Sequence, residues 1–177
     1  MAKGASVNVS AITTSPHVGT HADAPLHVRD GWPGADELPL QAFHGASTVV
    51  DLSDLHGSVS LAELERRTGA TAVERLLLRT GRTIADGRFP DDWPVLDEAC
   101  VRALLGRGLR LLGVDAPSVD ERESKSLPVH HTLFDGGGCI LENLDLRHVT
   151  PGEYELIAFP VRLMGLDAAP VRAVLLA

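Results

Sequence analysis

The chain has 177 residues, 44% of them hydrophobic and 23% charged, which suits one domain with a real core and excludes a disordered chain. Sixteen Lys and Arg stand against 24 Asp and Glu, a net charge of −8, so the sequence lacks the electrostatic footprint of a partner for nucleic acid or anionic lipid. No apolar run approaches the ~20 residues of a membrane span, and Met1-Ala-Lys-Gly-Ala-Ser6 has no apolar signal core; the expected location is the cytoplasm, with Cys100 and Cys139 as buried thiols.

In chain order, Ser6 to Thr14 alternates Val7, Val9 and Ala11 with Ser6, Asn8 and Ser10, the pattern of a half-buried strand. Pro16 ends it, and Ser15 to Pro39 reads as a long polar loop punctuated by Gly and Pro, a kind of segment that is often functional. Val-rich Ala46 to Leu52 is a strand. Ser60 and Glu63 form a capping-box pattern that opens a short helix over Ser60 to Thr68. Glu74 to Arg79 is a strand, and Arg82 to Pro94 a loop holding Phe89 and Trp93. Leu96 to Arg107 has helical spacing ended by Gly106 and Gly108. Leu109 to Val114 is an apolar strand running into Asp115-Ala-Pro117. Val129 to Phe134 makes a turn of helix before the Gly136-Gly-Gly138 run. Tyr154 to Met164 and Val171 to Leu176 complete the strands. Six or seven strands with about three short helices make a sheet-dominated α/β domain spanning 1–177.

The histidines are the informative residues. His17, His21 and His27 fall within eleven residues, with Asp23 among them. Zinc takes imidazole nitrogen and carboxylate oxygen, and a catalytic site keeps one position open. Pro16, Gly19 and Pro25 argue against a helix here. If Thr20 to Asp23 is extended, His21 and Asp23 point to the same side, because side chains alternate with period two. A second group is His130-His131 followed by Glu142. The Glu142 carboxyl sits in Cys139-Ile-Leu-Glu-Asn-Leu144, where burial is costly unless it is paired or ligates a cation. His44, His56 and His148 stand alone and read as surface or structural residues. Ser118 and Asp120 follow an apolar strand, as a wall of a site or as a turn cap. Neither a Gly-x-Ser-x-Gly elbow nor a Gly-x-x-x-x-Gly-Lys loop is present, so serine hydrolase and nucleotide-binding readings lack support.

The string His17-x-Gly19-Thr20-His21-x-Asp23-x-Pro25-x-His27 resembles the signature of the cyclase-like metal hydrolases, most of all those that cleave N-formyl-L-kynurenine. Gly4 to Ser10, Gly113 to Asp120, Leu127 to His131 and Ile140 to Leu146 resemble further stretches of the same family, so the likeness covers nearly the whole chain. The resemblance implies a swivelling β/β/α fold, usually a homodimer, with zinc as the usual metal and manganese also compatible with such donors. It implies that His17 and His21 hold one cation, that His130 holds a second, and that Asp23 and Glu142 touch both. His27 is implied as the acid/base. The implied reaction is hydrolysis of a small aryl amide, by a metal-activated hydroxide, to an arylamine and formate in tryptophan degradation. The family pattern also includes a segment ahead of the first strand with an aromatic that packs on substrate. This sequence starts at Met1, just before that strand, and the expectation is a complete ligand set with a shortened substrate wall. Two other readings fit the same residues: another amide or lactam hydrolase of the family, such as one that opens isatin, and a metal-binding or oligomerising protein without catalysis.

Overall fold

The computed structural model describes residue 4, residues 6–69 and residues 72–177. Ten strands are present among the described residues: β1 (His21–Asp23), β2 (His44–Asp51), β3 (Ser58–Val59), β4 (Arg75–Arg79), β5 (Val95–Leu96), β6 (Leu111–Val114), β7 (Cys139–Glu142), β8 (Gly152–Ile157), β9 (Ala168–Pro170) and β10 (Val174–Leu176). The helices are α1 (Leu61–Thr68), α2 (Glu98–Gly106) and α3 (Pro128–Asp135). Eight strands form one sheet in the order β10-β8-β2-β4-β6-β7-β1-β9, and β3 pairs with β5 apart from it. The middle run β2-β4-β6-β7 is parallel, while β8 with β10 at one end and β1 with β9 at the other are antiparallel.

Parallel neighbours need crossovers, and α1, α2 and α3 supply them between β2, β4, β6 and β7. Ser60 caps α1 by accepting the Glu63 N–H, and Asp97 caps α2 by accepting that of Cys100. The three helices pack on one face of the sheet: Leu64, Val101, Leu104, Val129 and Leu133 share a core with Leu76, Leu78, Leu112 and Ile140. Leu77, Leu111 and Leu141 point to the opposite face and pack with Phe43, Leu144 and Leu156. Burial on both faces explains why β4 reads as a continuous apolar run rather than an alternation. Gly113 is required here, since a Cβ would lie 2.5 Å from Leu77 and 2.9 Å from Leu144.

Several expected elements shift. Ser6 to Thr14 lies in no strand, and Val7, Val9 and Ile12 are exposed. Alternation marks an extended chain but does not supply a neighbour, and the edge of β1 is already occupied by β9. The Tyr154–Met164 strand ends at Ile157, before Pro160, which has no N–H to give a ladder. Val171–Leu176 shortens to Val174–Leu176, which pairs with β8, while Val171 makes only an isolated bridge to Pro160 and the unexpected strand Ala168–Pro170 ahead of it pairs with β1. The strand count rises from six or seven to ten because β1, β3, β5 and β9, each only two or three residues long, are not among the expected strands.

Arg75 locks β4 to the segment that enters β2. Its guanidinium is 4% exposed and donates to the carbonyls of Gln41, Ala42 and Ala46 at 2.7, 2.8 and 3.2 Å. Gly45 leaves room for it, since a Cβ there would meet Nη1 at 3.0 Å. Arg75→Met strips these carbonyls, that of Ala42 buried and the others partly so, of their donor, and the expected cost is about 2–4 kcal/mol. Urea unfolding should show a lower midpoint with an unchanged slope.

Candidate metal centre

The site lies at the carboxyl ends of the parallel strands, where crossover loops leave a crevice. Antiparallel pairing of β1 with β7 sets His21 opposite Glu142. Period-two alternation puts Asp23 on the same face as His21, while Ala22 points into the opposite core. That face is the one α3 covers, and α3 brings His130 over both acids.

Each carboxylate divides its oxygens between the imidazoles. Oδ1 of Asp23 is 3.0 Å from Nδ1 of His17 and 3.2 Å from Nε2 of His21, and Oδ2 is 3.2 Å from Nε2 of His130. Oε2 of Glu142 is 3.6 Å from Nε2 of His21, and Oε1 is 3.5 Å from Nε2 of His130. His21, Asp23, His130 and Glu142 are all buried. His21 Nε2 and Asp23 Oδ1 have no hydrogen-bond partner, although they face each other.

The remaining imidazole nitrogens are engaged from outside. His21 Nδ1 donates to the Gly19 carbonyl at 2.8 Å, across a left-handed glycine with φ of 64°. His130 Nδ1 donates to Asp120 Oδ2 at 2.7 Å. His17 Nε2 donates to Asp167 Oδ2 at 2.9 Å. In this tautomer assignment each ring turns a bare nitrogen toward the buried carboxylates, an arrangement that fits a cation between them. His21, Asp23 and Glu142 can bring one donor atom each within 4.8 Å of one another, and so can His17, Asp23 and His27. The set of neutral imidazoles and carboxylates suits zinc or manganese.

Without a cation the cluster shifts its own protons. Burial pushes Glu142 up to about 7, helped by the charge on Asp23. Burial also works against Asp23, but the imidazoles of His130, His17 and His21 around it, which take up protons when no cation is present, outweigh it and hold this carboxyl well below its usual value. His17 and His130 rise to about 9 and about 10: burial lowers both, but the carboxylates beside them more than offset it.

All six residues singled out in the sequence therefore meet in one place. His27 sits at the exposed rim, its ring 4.3 Å from that of His17 and 5.8 Å from that of His130. The pocket has a volume of about 390 Å³ and is walled by Ile84, Phe89, Trp93, Pro117 and Leu127, with Ser118 and Arg122 among its polar residues. Trp93, on a loop that gave no functional signal, is a wall residue fixed by its Nε1–H to the Asp120 carbonyl. Trp32 instead lines a separate groove with Pro25 and Pro33. His44 and His56 pair with Glu155 and Asp92 at the surface.

Two acids escaped the sequence reading in whole or part. Asp120 is more than a turn cap: it accepts the N–H groups of Val129 and His130 at 2.9 and 3.0 Å, and also the His130 ring. It thereby satisfies orphan donors of the first turn of α3. Burial opposes its charge, but these donors prevail and hold its pKa below the usual range. Asp167 contacts both His17 and His27, and nothing in its local sequence signals this.

A mixed sheet with crossover helices on one face, and a buried His/Asp/Glu cluster at its carboxyl edge, defines a class of α/β protein suited to divalent-cation chemistry. The Cyclase family model matches residues 3–121, and the chain belongs to that family. Over 170 residues it is 45% identical to a kynurenine formamidase of Salinibacter ruber, an alignment covering 96% of this chain and 80% of that protein. A solved structure described as a potential metal-dependent hydrolase with cyclase activity superposes with a TM-score of 0.83 at 31% identity, covering 93% of this chain and 81% of that one. Isatin hydrolase A from Labrenzia aggregata superposes with a TM-score of 0.74 at 25% identity, over 92% of this chain and 74% of that one. The chain is thus a hydrolase of the cyclase family. No helix among the described residues is long and apolar enough to cross a membrane.

Asp120→Ala would leave three donors at the start of α3 without an acceptor, and the expected loss is about 3 kcal/mol. Urea unfolding with a chelator present isolates this loss from any contribution of bound metal.

Proposed function

We propose that this chain, an amidohydrolase, hydrolyses N-formyl-L-kynurenine to L-kynurenine and formate with two divalent cations, zinc foremost. The observation that carries the reading is the division of both carboxylates: Asp23 and Glu142 each turn one oxygen toward His21 and the other toward His130. His17 joins the side held by His21 and Asp23 Oδ1. This division supports the reading that His17 and His21 would hold one cation and His130 a second, with Asp23 and Glu142 offering an oxygen to each. The likeness to curated kynurenine formamidases supports this choice of substrate.

When bound, such a pair of cations supplies Lewis acidity and brings the pKa of water toward neutrality. The chain's own residues supply the rest. Asp120 and the Gly19 carbonyl hold the His130 and His21 rings in register. Trp93, Phe89 and Ile84 give an apolar wall for an aryl ring. His27 stands at the rim with Nδ1 turned to Asp167, so Nε2 is the nitrogen left to serve the pocket. There it takes the proton of the attacking water and passes it to the anilide nitrogen as the C–N bond breaks. An anilide leaves poorly unless protonated, so the step needs a proton donor at this nitrogen.

The likeness to isatin hydrolase A favours a second reading, opening of a cyclic aryl amide by the same centre. Parallel assays on N-formylkynurenine and isatin separate the two. Turnover of neither by fully metal-loaded protein sinks both.

His27→Ala is expected to lower kcat by roughly 10²–10⁴-fold while metal content stays constant. Elemental analysis should give about two equivalents per chain, and Asp23→Ala should lose both. A single tightly held equivalent that survives Glu142→Ala contradicts the shared-acid geometry.

A further inference from the structure

Asp167 lies outside every motif of the sequence, yet it touches both histidines at the outer side of the centre. Its Oδ2 accepts from Nε2 of His17 at 2.9 Å and from Nδ1 of His27 at 3.2 Å. The backbone puts it there. Its carbonyl accepts the N–H of Ala24 at 2.9 Å, and the next residue, Ala168, is the register partner of Asp23. The pairing that aligns the ligand strand therefore also delivers this carboxylate beside the two rings.

A carboxylate can only accept hydrogen bonds, so it fixes a proton on whichever imidazole nitrogen faces it. For His17 that proton sits on Nε2, leaving Nδ1 bare 3.0 Å from Asp23 Oδ1. For His27 it sits on Nδ1, leaving Nε2 for the pocket. The two rings lie 4.3 Å apart between centroids, so one oxygen spans both.

We propose that Asp167 is a positioning residue that couples the cation centre to the proton carrier, setting the tautomer and ring orientation of His17 and His27 together through a single carboxylate oxygen. This rests on the reading of His17 as a cation ligand and His27 as the acid/base. It assigns a third role to the β9 edge, beyond closing the sheet and covering β1.

The test compares the zinc-loaded chain with Asp167→Ala by three readouts. Competition against a chromogenic chelator should show zinc held 10–100-fold more weakly, the usual effect of removing an outer partner of a metal-binding histidine. Long-range ¹H–¹⁵N correlation of the imidazoles should place the His27 proton on Nδ1 in the unchanged chain and find it no longer confined there in the variant. At saturating zinc, kcat for N-formylkynurenine should fall about tenfold or more with KM within about twofold, because the aryl wall is untouched. Should Asp167→Ala fail to fold, Asp167→Asn carries the same readouts in a side chain of the same shape. Unchanged zinc affinity with an unmoved His27 proton overturns the proposal. Weaker zinc binding with the His27 proton still on Nδ1 overturns it too, since the carboxylate then serves His17 alone. If the unchanged chain fails to turn over N-formylkynurenine, the substrate assignment falls, and the chelator and imidazole readouts still decide the role of Asp167.

Discussion

Two carboxylates buried side by side on one face of a sheet are the constraint from which the rest of this structure follows. An ion taken out of water costs several kcal/mol even after the protein relaxes around it, and Asp23 and Glu142 are 0% and 4% exposed. Each must gain positive charge beside it or, as Glu142 tends to, take up a proton. The surroundings answer with three imidazoles turned inward, each fixed by an acceptor on its far side. Those acceptors differ in kind: a backbone carbonyl at Gly19, a buried carboxylate at Asp120 and a half-buried one at Asp167. The ring nearest the sheet needs only a local turn, whereas the ring on α3 is tied to a residue that also starts its helix.

The apolar half of the molecule makes this polar cluster possible. Leucines on both faces of β4 and β6, with Ile140 and Leu141 on the two faces of β7, set the central strands firmly, and Gly113 allows the opposite core to close without displacing Leu77 or Leu144. The helices then occupy a single face, so their connecting loops gather at one edge. An apolar wall and a charged floor meet there, because the strand that ends in Glu142 begins in the core at Cys139 and Ile140.

What the sequence made legible depended on distance along the chain. His17, His21 and Asp23 could be read together because three-residue β1 and the Gly19 turn bring them together locally. Glu142 was conspicuous because an acid in an apolar run demands a partner. The core strands β2, β4 and β6 and all three helices declared themselves through Val and Leu runs and capping residues. Asp120 was visible only as a candidate, since a turn cap and an acceptor for His130 look alike in sequence. Asp167 gave no signal, because its place is set by the register of β9 on β1, a pairing of distant segments. The same blindness misread Ser6 to Thr14: alternation of Val with polar residues describes one chain and says nothing of whether another lies beside it. The stop before the proline at position 160 and the short strand β9 likewise belong to the assembled sheet.

The antiparallel seat of β1 between β7 and β9 carries one more implication, for the order of assembly during synthesis. The histidine loop is synthesised well before β7 and β9, the strands that flank β1. Closing so long a loop is entropically demanding and gains nothing until the distant ends meet. The nascent chain can therefore build its leucine-rich middle first, while its early histidines stay exposed to the medium. A pocket with both flanks of β1 in place thus exists only once β9 has been made and has paired with it.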